Sequence, residues 1–148
     1  MTRKQILNEI KRYFDADELV CDHVYEKWGK LSWRFLDTNF LWCLLVIRRD
    51  IIKTPIYVNG KTTHQRGLRC NMCQLVKDKR VPYLTTHIQG KACDMTIPAM
   101  NAEKARQLII ENANLLPCPI RLEKNVSWVH MDVGVDDIHD DKVILFEG

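Results

Sequence analysis

A chain of 148 residues, 46% of them apolar and 28% charged, can bury one core, is too short for two comfortable ones, and is not disordered. Its formal charge of +3 suits approach to an anionic polymer, but falls far short of the dense Lys/Arg stripe of a nucleic-acid binder. The N-terminal stretch MTRKQILNEIKRYF has neither an apolar h-region nor a small-residue cleavage site, and the longest apolar run, residues 40–47, is broken by Arg48 and Arg49. The expectation is a monomer made in the cytoplasm, with no membrane or nucleic-acid partner.

Ile6, Leu7, Ile10 and Phe14 recur at helical spacing and predict a helix over residues 3–14. A second short helix is expected near 22–30. Asp37 or Thr38 can cap a third, apolar on nearly every side from Leu41 to Ile51, which should stop near Lys53 because Pro55 disfavours helical geometry in Thr54. Residues 55–59 (PIYVN) read as a short strand ended by the turn pair Asn59-Gly60, and residues 60–86 as a long irregular loop. Lys91 to Ile97 alternates as a strand, and Asn101 caps a helix carrying Ala105, Leu108, Ile109 and Ala113 on one face. Strands are then predicted at Ile120–Glu123, Trp128–Val133 and Lys142–Phe146. Helices first, then strands with one helix inserted, predict a single α+β domain over residues 1–148, with a small antiparallel sheet and flanking helices.

Six cysteines (21, 43, 70, 73, 93 and 118) are expected as free thiols in a reducing compartment. Cys70-Asn-Met-Cys73 has zinc-knuckle spacing, yet no second Cys/His pair follows at finger-like distance, so both cysteines are read as packing or turn residues. His23 is read as a packing or capping residue. His139 with Asp136, Asp137, Asp140 and Asp141 reads as a solvated turn.

The chemistry concentrates in Thr85-Thr-His-Ile-Gln-Gly-Lys-Ala-Cys-Asp94 and Ser127-Trp-Val-His-Met-Asp132. A catalytic zinc takes three protein ligands from His and Asp/Glu and leaves a fourth position for water. Gly90 lets the chain reverse between His87 and Asp94, and Trp128, His130 and Asp132 share one face of a strand. Each residue alone has a bland explanation, a hydrogen-bonded structural histidine or a turn aspartate.

The order His-x-x-Gly-x-Ala-x-Asp, then Trp-Val-His-x-Asp, carried here by His87, Gly90, Ala92, Asp94, Trp128, Val129, His130 and Asp132, resembles the signature of a zinc peptidase family. That family comprises the D-alanyl-D-alanine carboxypeptidases and L-alanyl-D-glutamate endopeptidases, includes phage endolysins, and shares its fold with the hedgehog signalling domain. Residues 44–48 (LLVIR) and 55–58 (PIYV) resemble the helix and strand that precede its active-site arginine, so the similarity spans about residues 40–133. The resemblance implies a hedgehog/DD-peptidase-like fold and Zn2+ on His87, Asp94 and His130. It also implies hydrolysis of an amide bond in peptidoglycan stem or cross-link peptides. The ion would polarise the scissile carbonyl and lower the pKa of its water to about 7. An arginine from Gln65-Arg-Gly-Leu-Arg-Cys-Asn71 would hold a substrate carboxylate or developing oxyanion. Arg66 and Arg69 both qualify, and Asn71 slightly favours Arg69.

One position departs from the pattern. Many family members carry Glu three residues before the second His, as the base for the zinc water; this chain has Ser127. Asp132 ranks first as its replacement but is equally suited to orienting His130, and Glu123 and His64 are further candidates. The departure motivates an alternative, a non-catalytic zinc-stabilised wall-binding module of the same fold.

Overall fold

The computed structural model describes residues 1–135 and 140–148. Asp136, Asp137 and His139 of the expected solvated turn lie outside the described residues.

Helix α1 (Arg3–Ile10) starts at a capping box in which the Thr2 side chain and Gln5 satisfy each other's backbone N–H groups. It ends earlier than its apolar spacing predicts, because the chain tightens at Arg12 and Tyr13, yet Phe14 remains buried. Two short helices follow, α2 (Ala16–Leu19) and α3 (Asp22–Trp28), then a 3-10 segment over Gly29–Phe35. The α3 range matches the expected second helix; α2 was not predicted.

Helix α4 (Thr38–Val46) begins where Asp37 accepts the Phe40 N–H at 3.0 Å, and it is the buried helix expected of an all-round apolar sequence. It widens into a π-helical turn, Ile47–Ile52, closed by Lys53 at φ 62. The predicted stop before Pro55 therefore holds. The predicted strand over 55–59 does not form: only Tyr57 bridges to Thr96. Pro55 has no N–H to donate, and beyond Tyr57 the chain turns inward, where the Asn59 backbone N–H donates to the Glu18 carbonyl at 3.0 Å. The Asn59 side chain, 6% exposed, donates to the carbonyls of Asp17 and Val20 and accepts the Arg66 N–H. Asn59 is thus a buried bracket between α2 and the long loop, in which α5 (Gln74–Lys77) forms one helical turn.

Strands β1 (Ala92–Met95), β2 (Ile120–Glu123), β3 (Val129–Asp132) and β4 (Val143–Phe146) form a four-stranded sheet in the order β1-β3-β2-β4, with α6 (Ala102–Glu111) between β1 and β2 in sequence. The fold class is α+β with flanking helices, but the sheet is mixed, which corrects the antiparallel expectation: β4 runs parallel to β2. The reason is topological. β2 already occupies one flank of β3 and β1 the other, so the chain that reverses after β3 lands beyond β2 and runs with it.

Strand alternation divides the sheet into two faces. Cys93, Met95, Leu122, Val129 and Met131 pack into the core with α1, α4 and α6 residues such as Ile6, Leu44 and Ile109. Asp94, Arg121, Glu123, His130, Asp132 and Phe146 belong to the other set.

Candidate metal centre

Asp94 on β1 and His130 on β3 are directly opposed residues of an antiparallel pair, so register alone brings carboxylate and imidazole together. The Asp94 Oδ1 lies 2.8 Å from His130 Nδ1. His87 arrives from the preceding loop, in a tight turn where the N–H groups of Ile88 and Gln89 both donate to the Thr85 carbonyl. Its Nδ1 lies 2.8 Å from the Gly67 carbonyl oxygen, an acceptor, so Nδ1 carries a proton, and Nε2 lies 3.6 Å from Asp94 Oδ2. The turn requires glycine at 90. Gly90 has φ +68, and a Cβ there would collide with the Phe35 carbonyl, while the Gly90 carbonyl accepts the Asp37 N–H at 2.9 Å.

His87, Asp94 and His130 each offer one ligand atom, and these atoms lie within 4.8 Å of one another. Both histidines are buried, and Asp94 is partly exposed to the cavity above. Two imidazoles and one carboxylate, with solvent access on one side, form a donor set that could hold a metal ion.

Behind His130 stands Asp132, fully buried. Its Oδ2 lies 2.7 Å from His130 Nε2, and Arg121 clasps both carboxylate oxygens at 2.9 Å. The Gly134 N–H donates to Oδ1 as well, and Asp132 lines neither cavity at the site. Burial raises the Asp132 carboxyl, but hydrogen bonds from His130, Arg121 and Gly134 outweigh it and leave its pKa at about 2. Burial likewise lowers the His130 imidazole, and Asp132 and Asp94 overcome it, holding the pKa at about 9. Asp94 is pushed up by desolvation and pulled well below the ordinary carboxylate range by His130 and His87.

The two predicted arginines separate. Arg69 reaches Asp94 Oδ2 with Nη2 at 3.3 Å and donates through Nε to the Gln65 carbonyl, leaving Nη1 uncommitted among the described residues. Arg66 donates to the Thr96 hydroxyl at 2.7 Å. Asp94 and Trp128 are common to two adjoining cavities. One, of about 650 Å³, extends past Arg66, Gln65 and Ser127; the other, of about 590 Å³, extends past His87, His130, Glu123 and Phe146. Arg69 borders both. Glu123 is the one side-chain carboxylate besides Asp94 that lines either cavity among the described residues. His64 sits at the outer end of the first cavity, 3.0 Å from Asp22.

Three contributors were not singled out from the sequence. Arg121 looked like an ordinary strand residue, although its alternation with Glu123 placed it on the polar face. Arg106, 5% exposed on α6, donates to the carbonyls of Val126 and Trp128 and so holds the turn that presents Ser127 and Trp128. Phe146 packs edge-on to the His130 ring at 5.6 Å between centroids and beneath the Arg121 guanidinium at 4.6 Å. A second group able to hold a metal ion, Cys21, His23, Cys70 and Cys73, lies where the middle of the long loop meets the start of α3.

No family model, no curated protein and no solved structure matches this chain in comparison. Among the described residues, no helix is long and apolar enough to cross a membrane.

Proposed function

We propose that the protein is a zinc-dependent peptidase that hydrolyses an amide bond in peptidoglycan stem or cross-link peptides, with the hedgehog/DD-peptidase architecture that its motifs resemble. The observation that carries this reading is the convergence of His87, Asp94 and His130, remote in sequence, on the floor of an open cavity. Two imidazoles and a carboxylate are hard-to-borderline donors that suit zinc.

Zinc bound there would supply Lewis acidity toward a carbonyl oxygen and a water of lowered pKa. The protein's own groups divide the remaining work. Gly67 and Asp132 fix the two imidazoles from behind, so that His87 Nε2 and His130 Nδ1 face the cavity. Arg69, with one nitrogen uncommitted, is placed to take a substrate carboxylate or carbonyl beside Asp94. Asp132 has its oxygens engaged and acts as the orienting carboxylate. Glu123, facing the same cavity, is the group we assign to accept the proton of the attacking water in place of the missing glutamate at position 127. The half-exposed Trp128 offers an apolar wall to the peptide.

Peptidoglycan incubated with the zinc-loaded protein should yield new amino termini, located by mass spectrometry of the fragments, and Asp94→Ala should yield none. Binding to the wall with no fragments from either protein would replace this reading with the non-catalytic module.

A further inference from the structure

Cys21 and His23 open α3, and Cys70 and Cys73 bracket a turn in the long loop, some 50 residues away in sequence. The fold brings all four together, with the ligand atoms within 4.8 Å of one another. His23 Nδ1 lies 3.7 Å from Cys70 Sγ and 3.8 Å from Cys73 Sγ. A nitrogen and a sulfur sharing a tetrahedral zinc, at about 2.0–2.1 and 2.3 Å from the ion, are about 3.5 Å apart, so the His23 contacts with Cys70 and Cys73 need only a small contraction. None of the four is in a disulfide. The Cys70 sulfur also accepts the Met72 N–H at 3.4 Å, a backbone donor of the kind that steadies a thiolate.

We infer that Cys21, His23, Cys70 and Cys73 form a second, structural zinc site of the Cys3His type, clamping the long loop to α3. Three sulfurs and one imidazole complete a tetrahedron and leave no position for water, unlike the centre at His130. Packing alone gives this part of the loop little support. Its apolar cluster consists of Cys21, Cys73 and Val76, with Val24, Cys70, Tyr83 and Ile88 at the margin. The clamp would act on the cavity through Arg69, which adjoins Cys70 and whose backbone N–H donates to the His87 carbonyl at 3.3 Å.

The site is independent of the peptidase reading, and sulfur makes it separately visible. The full chain, reduced and loaded with cobalt(II), should show a sulfur-to-cobalt charge-transfer band that persists in Asp94→Ala and in Cys43→Ser and is lost in Cys73→Ser. Asp94→Ala should still retain one equivalent of zinc. X-ray absorption at the zinc edge of that variant should place sulfur neighbours at about 2.3 Å. The last two measurements do not depend on Cys73→Ser folding. A cobalt spectrum without the band, or a zinc shell of nitrogen and oxygen alone in Asp94→Ala, would overturn the assignment. Absence of peptidoglycan cleavage, with the band intact, would count only against the peptidase reading.

Discussion

Asp132 Oδ2 and His130 Nε2 stand 2.7 Å apart on one strand face, and Arg121 locks the carboxylate from the other side. The pair fixes which imidazole nitrogen faces the cavity. Asp132→Asn keeps the shape but removes the charge, so zinc affinity should fall about 10- to 100-fold in a competition titration with a chromophoric chelator. Unchanged affinity would show that the carboxylate does not steer the imidazole.

If Glu123 takes the proton, Glu123→Gln should lower turnover on peptidoglycan by about 100-fold or more while zinc content stays at the wild-type level. Full activity in that variant would move the role to another group. Ser127→Glu in the same background, restoring a carboxylate three residues before His130, should recover part of the rate.

Zinc affinity should rise with pH. In the metal-free protein the Asp132 and Asp94 hydrogen bonds keep His130 protonated up to about 9. Coordination through Nδ1 expels that proton, so binding is linked to proton release, and each unit by which pH rises toward the imidazole value should gain about tenfold in affinity. Above it the dependence should flatten. A pH-independent titration between neutrality and pH 9 would contradict proton displacement from His130.

Arg106 is a stability determinant for the β2–β3 turn. Arg106→Leu leaves the Val126 and Trp128 carbonyls without their charged donor, which should cost about 2–4 kcal/mol in denaturant unfolding. The same variant should weaken peptide binding at the Trp128 wall. A loss under about 0.5 kcal/mol would show that water replaces the guanidinium.

Much of the centre was legible because it depends on local rules. His130 and Asp132 lie two apart in a strand and must share a face, and Gly90 marks the reversal that returns Asp94 toward His87. Helix α4 was legible from its all-round apolarity and its Asp37 cap. What escaped was set by pairings across long separations. The parallel placement of β4 follows from β2 and β3 already being joined, which no window of sequence reveals. Asn59 looked like half of a turn pair, because the carbonyls it satisfies, on Asp17 of α2 and on Val20 just after it, lie 42 and 39 residues earlier. Cys70 and Cys73 lacked a second ligand pair downstream; Cys21 and His23 lie upstream, and only the docking of the loop on α3 unites them.

Asp94 and Trp128 belong to both cavities, so the position proposed for the scissile bond is flanked by room on either hand. A ligand ending at its terminal carboxylate would fill one compartment and leave its neighbour to solvent. Branched or bridged strands would engage both, and cleavage efficiency should therefore climb as residues are added beyond the cut bond in each direction.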